Sequence, residues 1–312
     1  MIQLIPVLKD YIWGGYKLKK LFGRDNGGNK ISESWEVSVH PDGQSGLKTG
    51  GTLAQYLREH PKAVCRAGGE LPVLVKFIDA AQNLSVQVHP NDEYARRYEN
   101  DNGKTEMWYI VQADEGAGIY CGFRKAVDKE TFLQKVKDGT VEECLNFIPV
   151  HAGECYRIDA GTVHAIGKGC VICEIQQSSN VTYRVYDYNR LGADGKPRQL
   201  HVEKAADVID FSVFQDRTGS GSPLPCAGGT VRLLTECRYF RCRELVLKGK
   251  FEERNEGSFT AITVLSGSGK ADGTAFGAGD SFFVPCGESF TLDGDAKIIL
   301  TDRPESAAVC PR

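Results

Sequence analysis

Four polar residues between positions 87 and 164 have types and spacing that could do metal chemistry. Gln87 and His89 stand two apart in LSVQVH at 84–89, so on a strand they project from one face. Glu106 opens TEMWYIVQA at 105–113, and His164 follows a glycine turn in GECYRIDAGTVH. Two imidazoles, a carboxylate and an amide oxygen suit Zn²⁺ or a similar divalent ion, and an open position would make the site catalytic. Taken singly, each is an ordinary polar residue; only the set points to a metal. Two charges also stand on apolar strands. Lys76 in VLVKFIDA needs a counter-charge, supplied by a substrate phosphate or by a carboxylate such as Asp79. Glu174 in CVICEIQ is expected to have its pKa raised by burial, which suits a proton carrier.

These side chains need strands to hold them, and the chain reads as mainly β. Its 35 glycines are spread among Val, Ile, Phe and Tyr runs, a pattern of short strands and frequent turns. Strands are expected at 34–40, 73–80, 84–89 and 105–113, with residues 1–50 otherwise irregular. Short helices are expected at 52–59, capped by Thr52, after residue 90, and at 128–139, capped by Asp128. TGSGSPLPCAGG at 218–229 reads as a linker, and beyond it only short strands follow.

An internal repeat links the two halves. Gly153, five residues, Asp159-x-Gly161, two residues and His164 are matched by Gly279, five residues, Pro285-x-Gly287, two residues and Phe290. In each copy a strand enters a tight turn whose glycine takes positive φ. The repeat resembles the second sequence motif of the cupin family. That resemblance implies two jelly-roll β-barrels, with a few short helices in the N-terminal part. The six histidines are at 40, 60, 89, 151, 164 and 201, so the second barrel has no imidazole for a metal. The expected division is a catalytic domain over 1–217, a linker over 218–229, and a degenerate barrel without metal ligands over 230–312.

The segments LSVQVHPND, GKTEMWYI, GTVHAIG and TYRVYDYNR, in that order, resemble type I mannose-6-phosphate isomerases, particularly the short bacterial form. The resemblance covers most of the chain and is densest over 73–190. It implies one zinc ion per chain held by Gln87, His89, Glu106 and His164, and an active-site role for Arg184. It also places Lys76, Ser85, Lys104 and Glu174 in the substrate pocket; Trp13 is read, apart from the resemblance, as a pocket wall. Many members carry Asp four residues before the arginine; this chain has Asn180.

The implied reaction interconverts mannose 6-phosphate and fructose 6-phosphate through an enediol. It needs a base within about 2.6–3.2 Å of the moving proton and a fixed charge at the developing oxyanion. Arg184 keeps its proton and serves the oxyanion or a substrate oxygen, unless it pairs at the surface with Asp187. Lys104 and Glu174 are both candidates for the base. Two other readings compete: an Fe(II) cupin oxygenase, and a non-catalytic regulatory cupin that binds a metal and a sugar phosphate.

The 312-residue chain has a formal charge of -3 and no basic stripe, which argues against a nucleic-acid partner. No run approaches the roughly 20 apolar residues of a membrane helix. No secretory leader is expected, and the 11 scattered cysteines are expected to be free thiols in a reducing cytoplasm. The CxxC of Cys170 and Cys173 reads as two ordinary strand residues.

Overall fold

The computed structural model describes residues 1–65, 69–192 and 195–303. Three antiparallel sheets account for most of it. A six-stranded sheet runs in the order Cys155–Ile158, Glu106–Ala113, Cys170–Gln177, Val73–Asp79, Glu33–Val37, Val7–Lys9. A five-stranded sheet runs Tyr183–Tyr186, Val86–Val88, His164–Ile166, Gly118–Phe123, Leu145–Pro149. The two share a core: Ile78, Trp108 and Ile172 from the first meet Ile119, Cys121 and Ile166 from the second. Together they form the first barrel.

The six-stranded sheet is covered on both faces, which explains its apolar strands. Val75, Phe77, Cys173 and Ile175 on its far face pack on Phe240, Phe259 and Phe283 of the second barrel. Alternation along these strands then sends Lys76, Glu106 and Glu174 into the first barrel. In the five-stranded sheet, Val86, Val88, Tyr183 and Val185 face outward. There they join Phe132 of helix Lys129–Lys137 and Ala205 of helix Val202–Val208 in one cluster. Gln87 and Arg184, the alternate residues, are left facing inward.

The second barrel is built from a nine-stranded sheet. Phe251, Phe276, Phe282 and Phe290 fill its interior with aliphatic neighbours. Phe290 is buried where the repeat aligns it with His164. All four glycines of the repeat have positive φ: 93° at Gly153, 89° at Gly161, 88° at Gly279 and 81° at Gly287. A Cβ at Gly161 would also stand 3.0 Å from the Val208 carbonyl oxygen.

Several expectations change. The first 50 residues carry four strands and a helix, and Ile2–Ile5 and Gly46–Leu47 extend the second barrel's sheet, with Ile2 opposite Phe283. Within the stretch read as linker, Leu224–Cys226 is a strand hairpinned onto Gly229–Glu236. Its glycines and prolines turn the chain without excluding it from a sheet edge. Cys65 and Cys286 are disulfide-bonded across 221 residues, contrary to the expectation of free thiols. The amide of Cys286 donates to the Ala63 carbonyl at 2.8 Å, an approach that linear spacing does not show. Cys170 and Cys173 are buried free thiols in different clusters, as ordinary strand residues should be. Thr52 makes the expected cap, as a full capping box with Gln55, and Asp128 caps its helix through Thr131. No helix among the described residues is long and apolar enough to cross a membrane.

Candidate metal centre and active site

His164, Gln87 and Arg184 are cross-strand neighbours on three successive strands. His89 lies one residue past the end of the strand that carries Gln87. Facing them, Glu106 opens its strand on the six-stranded sheet. The ligand atoms of His89, Glu106 and His164 all lie within 4.8 Å of one another, and all three residues are buried. His89 Nε2 is 3.5 Å from Glu106 Oε2, and His164 Nε2 is 3.4 Å from Oε1.

Both imidazoles are oriented from behind. His89 Nδ1 is 2.8 Å from the Val181 carbonyl oxygen, and His164 Nδ1 is 2.8 Å from that of Thr162. A carbonyl only accepts, so each Nδ1 carries the proton and each Nε2 presents a lone pair toward Glu106. Burial pushes both imidazoles down, His164 to about 4, which keeps them neutral as metal ligands must be. Glu106 Oε1 and His164 Nε2 are buried without a hydrogen-bond partner among the described residues. Unpaired buried acceptors are costly, and a divalent ion between these three groups would satisfy them. The residues therefore fit a metal.

Beside this group, Lys104 Nζ lies 2.8 Å from Glu106 Oε2, 3.0 Å from His89 Nε2 and 3.9 Å from Glu174 Oε1. Lys104 precedes its strand instead of lying in it, yet reaches the same interior. Glu174 stands in register between Lys76 and Trp108 on the flanking strands. Its carboxylate takes Lys76 at 3.0 Å and a hydrogen bond from the Trp108 indole at 2.8 Å. The expected rise in its pKa is therefore overturned. Burial does push it up, but Lys104, Lys76 and the indole outweigh burial and hold it well below the usual carboxylate range. Glu106 goes the other way, raised by burial and by the nearby Glu174 charge.

The counter-charge of Lys76 is likewise neither Asp79 nor an open anion site. Its ammonium meets Glu174 and, at 3.6 Å, Glu33. Burial would lower its pKa, but the two carboxylates hold it above the ordinary lysine value. Asp79 instead accepts the backbone amide of Lys17.

A cavity of about 150 Å³ opens beside this cluster, and Gln87, Lys104 and Glu174 form part of its wall. Ser85, Lys76, Trp13 and Arg184, all expected there, line it too. Arg184 does not pair with Asp187; its guanidinium makes no hydrogen bond or ion pair among the described residues, and Asp187 is taken by Arg190 and Arg198. Asn180 sits at the rim, donating to Asp42 at 2.7 Å. Two lining residues, Tyr11 and Arg198, had no signal in the sequence. Trp108 does not line the cavity; it is buried in the barrel core and touches the site through its indole donor to Glu174.

A jelly-roll barrel with buried metal-competent donors beside a cationic cavity defines a cupin enzyme of the metal-binding kind. A family model described as "Phosphomannose isomerase type I, catalytic domain" matches residues 1–126. A probable mannose-6-phosphate isomerase of Bacillus subtilis (strain 168) is 36% identical over 310 residues, covering 96% of this chain and 98% of that one. A mannose-6-phosphate isomerase of Streptococcus mutans is 36% identical, covering 94% and 95%. The crystal structure of the Bacillus subtilis mannose 6-phosphate isomerase superposes with a TM-score of 0.91 at 33% identity, covering 96% of this chain and 98% of that one. The chain belongs to the type I mannose-6-phosphate isomerase family.

Proposed function

We propose that the chain interconverts mannose 6-phosphate and fructose 6-phosphate through an enediol, with one zinc ion held by Gln87, His89, Glu106 and His164. The convergence of three buried donors, two of their atoms unpartnered, at the wall of a cationic cavity carries this reading. Two imidazole nitrogens with carboxylate and amide oxygens suit zinc, and Gln87, cross-strand from His164, is in place to add the fourth donor. Bound there, the ion would act as a Lewis acid toward the substrate carbonyl.

The chain's own groups divide the remaining work. Lys104 Nζ borders both the donor group and the cavity, so it is assigned the proton that moves between the two reacting carbons. Glu174, kept ionised and clamped by Lys76 and Trp108, is the rival base and otherwise holds Lys104 in place. Arg184, unpaired among the described residues, lines the cavity and orients substrate oxygens. Trp13 and Ser85 shape the wall. Catalysis thus belongs to residues 1–217, and the aromatic-filled second barrel is structural.

The test is a coupled assay for fructose 6-phosphate together with metal analysis of the purified protein. Turnover with about one zinc per chain is expected. Stoichiometric iron with oxygen uptake would favour an oxygenase instead. Tight binding of mannose 6-phosphate without product would favour a sensor, the reading for which Asn180 speaks.

A further inference from the structure

Lys104 stands two residues before its strand begins at Glu106, so no sheet ladder fixes its backbone. Three successive amides around it are held from elsewhere. Gly103 N donates to Asp92 Oδ1 at 3.0 Å, Lys104 N to the Pro90 carbonyl at 3.0 Å, and Thr105 N to Gln177 Oε1 at 2.9 Å. Gln177, itself buried, donates its Nε2 to the same Asp92 oxygen at 2.9 Å. One carboxylate oxygen thus gathers both flanks of Lys104. The approach is close: a Cβ at Gly103 would stand 2.4 Å from the Asp92 amide nitrogen, which only glycine avoids.

The second oxygen of Asp92 faces the other barrel. Tyr239 sits at the tip of the hairpin that joins Gly229–Glu236 to Arg241–Arg254, where Cys237 N donates to the Phe240 carbonyl at 2.9 Å. Phe240 is buried in the cluster shared by the two barrels, which anchors the tip. From there the Tyr239 hydroxyl donates to Asp92 Oδ2 at 3.1 Å, joining residues 147 apart in the chain. A charged acceptor makes this one of the stronger kinds of hydrogen bond. Arg96, which also pairs with Asp92, is 3.8 Å away and largely exposed, and so holds it weakly.

We propose that Asp92, Gln177 and Tyr239 are positioning residues for Lys104, so that the second barrel supplies one side chain to the holding of the active site. This rests on the isomerase reading above, with Lys104 as its proton carrier. Lys104 Nζ has to keep its place at the cavity wall, 3.0 Å from His89 Nε2. A misplacement of about 1 Å in a reacting group can cost about 10²-fold in rate. Glu106, by contrast, is paired on both sides by the sheet, with Ile158 and with Gln176, so loosening residues 103–105 leaves the metal donors in position. The rate of the proton transfer should therefore suffer while metal and substrate binding change little.

The experiment compares wild type with Tyr239→Phe, Asp92→Ala and Asp92→Asn, well below their melting temperatures. It measures kcat and KM for mannose 6-phosphate, zinc content, and amide hydrogen exchange over residues 103–105, which needs no turnover. Tyr239→Phe should lower kcat about 3- to 10-fold and Asp92→Ala about 10- to 100-fold, with KM within about threefold of wild type, zinc unchanged and exchange faster. Asp92→Asn keeps an acceptor for Gly103 and Gln177 and can donate to the Tyr239 hydroxyl, so it should recover most of kcat. Adding Tyr239→Phe to Asp92→Ala should lower kcat no further, because the hydroxyl acts through the carboxylate. A hydroxyl that only stabilised its hairpin would lower Tm and leave kcat alone. Wild-type kcat in a folded Tyr239→Phe protein overturns the proposal, and so does a loss of kcat that tracks lost zinc. If wild type makes no fructose 6-phosphate, the isomerase reading fails by itself; faster exchange in Tyr239→Phe then still supports the hold on residues 103–105, and unchanged exchange removes that too.

Discussion

Replacing Lys76 with Met tests whether this residue is a structural counter-charge or a ligand for substrate. Its ammonium is buried, 3.0 Å from Glu174 and 3.6 Å from Glu33. Removing one partner of a buried pair typically costs about 3–5 kcal/mol, because the other charge is left uncompensated. Here Glu174 keeps the Trp108 indole at 2.8 Å and Lys104 at 3.9 Å, and Glu33 keeps the Trp35 indole at 2.6 Å. The low end, about 3 kcal/mol, is therefore expected. For a 312-residue chain the unfolding entropy is about 0.65 kcal/mol/K, so Tm should fall by about 5 °C. Adding Glu174→Gln removes the orphaned charge and should restore at least half of that loss. Calorimetry of the two variants beside wild type, with KM for mannose 6-phosphate, decides the matter. A Lys76→Met protein that melts within about 1 °C of wild type but shows a raised KM would refute the counter-charge assignment and return Lys76 to the phosphate.

Other outcomes follow from the same geometry. His164→Ala should retain less than about a tenth of the wild-type zinc and lose at least about 10³-fold in kcat/KM; full zinc content by elemental analysis would remove His164 from the ligand set. In metal-free protein the His164 pKa is lowered from 6.5 to about 4, so the unfolded chain takes up a proton first on acidification. Stability should therefore be complete above pH 6.5 and fall by about 3 kcal/mol on the way to pH 4, and urea titrations with chelator should show His164→Asn losing that slope. Phe290→His should destabilise the second barrel by about 2–4 kcal/mol and add no metal, since its buried neighbours are apolar; a second zinc per chain would contradict this.

Much of the site was legible because period-two alternation is a strong constraint. Once Gln87 and His89 share a face, and Lys76, Glu106 and Glu174 lie on strands with apolar alternates, their convergence needs only the barrel's closure. The repeat was legible for a related reason: positive φ at Gly161 and Gly287 leaves a mark in the residue type itself. What sequence could not show was the charge network. Glu174 looked like a desolvated acid because its chain neighbours are apolar, but its cross-strand neighbours are Lys76 and Trp108, and these reverse the direction of its shift. Arg198 had no periodic signal, being placed by a loop and by Asp187. The Cys65–Cys286 bond joins segments whose proximity depends on the packing of both barrels.

The pairing of Ile2–Ile5 with Ser281–Val284 has a consequence for how the sheet closes. Ile2–Ile5 joins distant parts of the chain: Leu4 stands opposite Leu47, and Ile2 opposite Phe283. Without Ser281–Val284 one edge of this apolar-rich strand is open. Such long-range closure is slow compared with local hairpins. Loss of either Ile2–Ile5 or Ser281–Val284 therefore leaves an edge of the other strand without its partner.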